Sequence, residues 1–383
     1  MKCACGVSRV FRAAAPAAIQ IKEDCVKGKM KAMVFYEPLN MKYEEVDIPE
    51  LGPDEVLIRI KACGICGSDI AYYWGMSPLE TDDGKGPLVL GHECSGEIVE
   101  LGELPKQLGI FKIGDRVAAD PVQYCNACEI CKKGEVNLCE EKAVSGVSVD
   151  GGFAEYMKTK YTSLFKLPDN VTYEQGAFLE PLADSVYAVK KLEVTLGDFC
   201  VVIGPGPIGL AQAQLIKASG AGTLVVVGTR DYRLDVAKNN GADHVFNIKD
   251  STSKYYISDL TQKISELTDG KMADRVLVAN GNPESMKIPF KISGRRSVIV
   301  FFGLPGADDM IEVPALDTIF WDKTIKFSWL APLTYPKAIN AIATKLIDVD
   351  ALANQKFKLE ELIPALEKVK DRVGNPLKAL VVP

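Results

Sequence analysis

Residues 199–209 read Phe-Cys-Val-Val-Ile-Gly-Pro-Gly-Pro-Ile-Gly. The apolar run Phe199 to Ile203 has the length of a buried strand, and it leads straight into Gly204, Gly206 and Gly209. A bare G-x-G-x-x-G is a weak motif. One that leaves a strand and opens a helix, here expected from Ile208 to Ser219, has the context that gives it meaning. The glycines allow a tight turn, close approach of backbone to a pyrophosphate and close helix–strand packing, and the helix N-terminus presents oriented N–H groups to phosphate. Gly204, Gly206, Pro207, Ile208 and Gly209 are therefore candidate cofactor-binding residues.

Further strand runs follow at Thr223 to Val227, Arg275 to Ala279 and Ser297 to Phe302, with helical stretches Arg233 to Asn239 and Asp259 to Thr268 between them. This alternation predicts a doubly wound parallel sheet. The end of its second strand bears on which nucleotide binds. An acid there would hold the ribose diol of NAD, but the strand runs into Gly228-Thr229-Arg230. Glycine is read as clearing space, and Thr229 and Arg230 as holding a 2′-phosphate through hydroxyl and guanidinium, with Arg233 adding charge. NADP(H) is thus expected over NAD(H). Asp231 is the competing ribose ligand. Phe302 joins the cofactor-binding set, and His244 is expected at the surface or a strand edge.

Upstream, Lys31 to Tyr36, Glu55 to Ala62, Ser95 to Leu101 and Arg116 to Asp120 read as strands separated by turns, and Gly151-Gly152 is expected to open another, Phe153 to Lys158. This β-rich half carries Cys125, Cys128, Cys131 and Cys139, spaced C-x2-C-x2-C-x7-C. Four thiolates on one short loop can close a tetrahedron around zinc. An iron–sulfur cluster is the competing reading, although the proline that often follows its last cysteine is here Glu140. A second constellation lies in Cys63-Gly-Ile-Cys66-Gly-Ser68-Asp69 and Gly91-His92-Glu93. Thiolate, imidazole and carboxylate form a borderline-soft set that suits zinc. Taken singly, Cys66 and His92 would read as a structural cysteine and a core histidine. Glu180-Pro181 opens a helix reaching Leu192, so Glu180 is also explicable as a charge at a helix N-terminus.

The chain has 383 residues, 47% hydrophobic and 25% charged, with a net charge of −6. That length allows two domains, and the acidic balance argues against nucleic acid as a partner. No apolar run approaches the roughly 20 residues needed to cross a bilayer. Clustered cysteines in a chain this long point to metal in a reducing, cytoplasmic compartment. Residues 1–29 read as a disordered or removable extension, or as an upstream start with Met30 the true one, with Cys3, Cys5 and Cys25 unassigned; its basic, Ala-rich start fits an organelle-import segment weakly because serine is scarce.

From Met30 to Pro383 the sequence resembles the zinc-dependent medium-chain dehydrogenases/reductases of the alcohol dehydrogenase superfamily. The motifs that carry the likeness are Gly64-Ile-Cys66-Gly-Ser68-Asp69, Gly91-His92-Glu93, the four-cysteine lobe, Gly151-Gly-Phe-Ala-Glu155-Tyr, Leu179-Glu180-Pro181-Leu182 and the Gly204–Gly209 turn. Glu180-Pro181 is similar to the sorbitol, threonine and butanediol dehydrogenase branch. The resemblance implies an α/β protein, with a GroES-like β-rich catalytic domain and a Rossmann doubly wound parallel-sheet domain. The catalytic domain is expected over 30–190 and 331–383, and the nucleotide domain over 191–330. It implies one catalytic zinc shared by Cys66, His92 and either Glu93 or Glu180, and one structural zinc on the four cysteines. Ser68 would contact the reacting hydroxyl and pass on its proton, with Asp69 behind the metal or its ligands.

Ala71 departs from the family, many of whose members carry a proton-relaying histidine there. Tyr72, Tyr73 and Trp74 either line the substrate cleft or pack together. The expected activity is interconversion of a secondary alcohol or polyol and its ketone or aldehyde with NADP(H). NAD-dependent oxidation of a polyol or amino alcohol is the alternative, and a non-catalytic zinc- or nucleotide-binding protein the third. A small-molecule alcohol or carbonyl substrate, no membrane partner and a homodimer or homotetramer complete the expectations; the homo-oligomer follows from an apolar edge strand near Thr324 to Leu330.

Overall fold

Two sheets position the functional residues in the computed structural model, which describes residues 26–77 and 87–383. Residues 1–25 of the N-terminal extension, with Cys3, Cys5 and Cys25, lie outside the described residues; beyond them Val26 donates its N–H to Glu100 (2.9 Å) and Lys29 opens a strand.

The first sheet is parallel and six-stranded: His244–Asn247, Thr223–Gly228, Phe199–Ile203, Ala273–Val278, Ser293–Phe301 and Thr324–Phe327, in that spatial order. Cys200 to Ile203 and Leu224 to Gly228 are continuously buried. Uninterrupted burial of this kind belongs to a sheet covered on both faces by helices. Two apolar clusters fill those faces, one around Val202, Leu210, Val226 and Leu234, the other around Val201, Val225, Val276 and Ile299. Sequence order 3-2-1-4-5-6 puts a switch point between Phe199–Ile203 and Ala273–Val278, and ligands of such sheets bind beyond the carboxyl ends of the strands there. His244 opens an edge strand, as expected of it, though the strand itself had no clear pattern in the sequence.

The second sheet runs Leu164–Lys166, Arg116–Ala119, Glu93–Leu101, Glu55–Gly64, Lys378–Val382 and Ala353–Lys358, with Tyr156–Lys160 also pairing Glu55–Gly64. The last two strands come from the chain's C-terminal end, so this sheet is assembled from both ends of the sequence. The register sets Cys63 opposite Cys94 and Gly64 opposite Glu93. The expected strand from Phe153 is displaced to Tyr156–Lys160. Gly152 and Phe153 instead donate their N–H groups to Gly91 and Leu90 carbonyls (2.8 and 3.0 Å), which braces the segment carrying His92. Among the described residues no helix is long and apolar enough to cross a membrane.

Candidate metal and nucleotide site

Cys66 caps the short helix Gly67–Tyr73, and the Asp69 carboxylate accepts the Cys66 N–H (2.8 Å) in a capping box. This fixes the backbone of the Cys66 loop. Gly91, at φ +93°, lets the next two residues turn toward it. Ligand atoms of Cys66, His92 and Glu93 consequently lie within 4.8 Å of one another. Gly64 is required here, because a side chain at that position would run into the Glu93 carboxylate.

Three buried atoms here lack a hydrogen bond: His92 Nδ1 and Asp69 Oδ1, which face one another, and Glu93 Oε2, which has no facing partner. Orphaned buried polar atoms are costly, and the donor set suits zinc; the residues therefore fit the metal. Asp69 Oδ1 lies 3.6 Å from His92 Nδ1, and Ser68 Oγ lies 3.5 Å from His92 Nε2. Burial pulls His92 down, but Asp69 and then Cys66 outweigh it and leave the imidazole well above its usual range.

Glu180 sits in the first turn of the Leu179–Leu192 helix, close enough to feel His92, Glu93 and Cys66, but outside the group whose ligand atoms converge. Burial pushes its carboxyl well up, Asp184 adds to this and His92 opposes it. Tyr72 and Tyr73 are buried in the apolar cluster around Met33, Ile58 and Phe153, and Tyr73 packs edge-to-face on Trp74 at 4.7 Å. This favours the packing reading of the aromatic trio.

Sequence reasoning missed Lys378. Its ammonium donates to Glu93 Oε1 (2.6 Å) and to the Ile65 carbonyl (3.1 Å), with both side chains buried. Burial lowers lysine, yet the Glu93 carboxylate overrides that and holds Lys378 charged. One Glu93 oxygen is thereby tied down while the other stays free. The available signal was a lysine inside the otherwise apolar Leu377–Val382 run, together with the need of a buried carboxylate for a cation.

In the lobe, Cys125 Sγ is 3.6 Å from Cys139 Sγ and 3.9 Å from Cys131 Sγ, and Cys128 Sγ is 4.0 Å from Cys139 Sγ. Backbone N–H groups of Ala127 and Cys128 point at Cys125 Sγ (3.4 and 3.3 Å) and pull its thiol down to about 6. Four converging sulfurs, one already favoured as thiolate, fit a closed zinc site.

At the nucleotide end, Gly204 has φ +99° and its N–H bonds the Val227 carbonyl (2.9 Å). Gly206 caps the Pro207–Ala218 helix, and its missing side chain faces open space except for Arg233 Nη1 at 4.0 Å. A Cβ at Gly209 would collide with the Gly204 carbonyl. Ile208 follows Pro207 in the helix's first turn, and half-buried Phe302, just past the strand Ser293–Phe301, donates its N–H to the Val278 carbonyl (3.0 Å) at the carboxyl edge of the sheet. Gly228 needs correction. Its empty side is filled by Pro205, whose Cγ would lie 2.6 Å from a Cβ there, so Gly228 lets the turn close instead of making room for a phosphate. Asp231 Oδ1 accepts from Asn247 Nδ2 (2.9 Å) and Ser253 Oγ (2.5 Å), which engages one oxygen of the competing ribose ligand. Thr229 is exposed and Arg230 half-buried beside it.

Comparison with known proteins agrees with this geometry. Residues 52–169 match the alcohol dehydrogenase GroES-like domain, and residues 207–344 match the zinc-binding dehydrogenase domain. Sorbitol dehydrogenase of Bacillus subtilis (strain 168) is 33% identical over 94% of this chain and 98% of its own length. Sorbitol dehydrogenase of Mus musculus is 33% identical over 93% and 96%. Among solved structures, 2R,3R-butanediol dehydrogenase of Bacillus subtilis superposes with TM-score 0.82 at 29% identity, covering 92% of this chain and 99% of that one. An NADP-bound zinc-binding dehydrogenase structure from Sinorhizobium meliloti 1021 gives TM-score 0.85 at 28% identity, covering 93% and 100%. With a GroES-like half, a Rossmann-type half and two converging ligand groups, the chain belongs to the zinc-dependent medium-chain alcohol and polyol dehydrogenase family.

Proposed function

We infer that this chain interconverts a secondary alcohol or polyol and its ketone or aldehyde by hydride transfer with NADP(H). The observation that carries the reading is the convergence of Cys66, His92 and Glu93 around unpartnered buried atoms. These three residues would hold the catalytic zinc, with Glu93 favoured over Glu180 because only Glu93 joins the convergent group. When bound, the metal supplies Lewis acidity toward the substrate oxygen. Ser68, whose hydroxyl lies beside His92 Nε2, positions the reacting hydroxyl and takes its proton. Asp69 orients the imidazole, and Lys378 holds one oxygen of Glu93. With alanine at position 71, the proton leaves through Ser68 and solvent. The Gly204–Gly209 turn binds the cofactor pyrophosphate and Phe302 borders the crevice. We place the catalytic domain at 30–190 and 331–383, around a nucleotide domain at 191–330.

NADP rests on Arg230 and Thr229 at the second strand's end, with one Asp231 oxygen engaged by Asn247 and Ser253. Reduction and oxidation assays with polyols, secondary alcohols and amino alcohols, followed at the nicotinamide band, test the whole reading. Higher kcat/KM with NADP(H) is expected. Arg230→Ala should lower NADP efficiency by about ten- to a hundredfold, the weight of a charge-assisted phosphate contact. Wild-type efficiency equal or better with NAD overturns the cofactor choice, and no turnover with any substrate overturns the activity.

We also infer a homo-oligomer, a dimer or tetramer. Thr324–Phe327 is the unpaired edge of the nucleotide sheet, with Phe327 59% exposed; the nearby helix Ala315–Phe320 leaves Ile319 76% and Phe320 75% exposed. An apolar edge of this kind invites pairing around a twofold axis. Light scattering at micromolar concentration should give at least a dimer, and a monomeric mass would contradict it.

A further inference from the structure

Resting on the NADP reading above and extending it, we propose that Arg372, carried by the chain's returning catalytic segment, completes a three-guanidinium cradle with Arg230 and Arg233 that grips the 2′-phosphate of NADP(H) across the two domains.

The cradle is built from both halves of the protein. Arg230 links the strand Thr223–Gly228 to the helix Asp231–Asn239, and Arg233 lies in that helix's first turn. Arg233 Nε donates to the Tyr232 hydroxyl (2.7 Å); Arg233 Nη2 and the Tyr232 hydroxyl both donate to the Pro376 carbonyl (3.4 Å each). The start of the nucleotide-domain helix is therefore fastened to the loop that follows the helix Leu362–Asp371. Arg372 begins this loop in a left-handed conformation (φ +62°), its N–H bonded to the Val369 carbonyl (3.2 Å).

The loop is held by its own partners. Gln355 Nε2 donates to the Val373 and Gly374 carbonyls (3.4 and 3.3 Å). Asn354 donates to the Asn375 carbonyl (3.1 Å) and accepts from the Leu377 N–H (3.0 Å). Arg372 thus stands on a braced turn, beside two cations of the other domain. Partial burial, and then the charges of Arg230 and Arg233, hold its guanidinium below the usual arginine range.

Among the described residues no carboxylate makes an ion pair with Arg230, Arg233 or Arg372, and the acids of the Asp231–Asn239 helix are engaged. Asp231 is bonded to Asn247 and Ser253, and Asp235 is paired with Lys254 (2.7 Å). Three like charges gathered at the end of the second strand, next to a phosphate-binding turn, are what a dianionic phosphate would stabilise. Guanidinium forks take phosphate oxygens two at a time, which lysine cannot reproduce. A phosphate so held would also join the two domains, while the ribose diol of NAD offers no charge to join them.

The test uses the full-length enzyme with Arg372→Ala, Arg372→Lys and Arg230→Ala. It compares kcat/KM for NADP and NAD, and calorimetric affinities for 2′,5′-ADP and 5′-AMP, which need no turnover. Arg372→Ala should lower NADP efficiency and 2′,5′-ADP affinity by about tenfold or more. NAD efficiency and 5′-AMP affinity should stay near wild type, and Arg372→Lys should recover part of the loss. Equal losses with NAD and NADP would place Arg372 at the shared pyrophosphate and overturn the proposal. An enzyme that prefers NADP, loses that preference on Arg230→Ala and keeps it on Arg372→Ala also overturns it, while leaving the cofactor reading intact. A wild type that prefers NAD overturns the cofactor reading itself.

Discussion

Cys66→Ser is expected to abolish turnover and to leave a folded protein. Cys66 is only half-buried, and what its backbone does for the fold is done through the N–H that the Asp69 carboxylate accepts. Serine keeps that hydrogen bond and is itself a favoured helix cap. What disappears is the thiolate. A hydroxyl stays protonated at neutral pH and is a poor ligand for a borderline-soft metal. Loss of a residue that merely supports a ligand costs about ten- to a hundredfold in affinity or activity, so loss of the ligand itself should exceed that. Steady-state rates with saturating cofactor, read beside a thermal melt, check it. Activity within tenfold of wild type would show that Cys66 is not a catalytic ligand, and collapse of the melt would show that it supports the fold as well.

Cys128→Ser acts in the opposite order, on stability before chemistry. The four-cysteine lobe has little apolar interior of its own: Cys131, Val136 and Cys139 make up its buried cluster. Such a loop is held mainly by its metal, so the binding free energy is folding free energy. Cys128 also caps the turn Glu129–Lys132, its sulfur accepting the Cys131 N–H (3.4 Å). The lobe reaches the nucleotide half through Asn137 Nδ2, which donates to the Trp329 carbonyl (2.9 Å), so its loosening spreads. A loss of about 3–5 kcal/mol, in the range of removing a structural metal or disulfide, corresponds to a fall in Tm on the order of 10 °C. Differential scanning calorimetry measures it, with turnover at low temperature largely retained. An unchanged Tm would remove the structural role.

How far the sequence anticipates the site depends on how local each signal is. The glycine turn and the four-cysteine spacing are legible because strand, turn and ligands follow one another within a few residues. The Cys66 and His92 runs are legible as motifs, but their meeting depends on two neighbouring strands, with Cys63 opposite Cys94. Lys378 is illegible at that level, since it lies 285 residues from the Glu93 it neutralises. Gly228 is misread for the same reason. Its partner is Pro205, on the turn after the adjacent strand, and only packing reveals that the space left by glycine is already taken. The strand expected from Phe153 slides to Tyr156 because Gly152 and Phe153 spend their N–H groups on the His92 loop. Arg372 carries no motif; it matters only because the returning segment docks on the helix that begins after Arg230.

We infer that the two ligand groups, one open and one closed, each hold a zinc ion, and that only the open one performs chemistry. Metal content of active, purified protein by plasma mass spectrometry, measured alongside turnover, tests it most directly. Two zinc ions per chain are predicted, one on the Cys66 group and one on the four cysteines. Fully active protein that holds one zinc per chain, or none, would contradict the account.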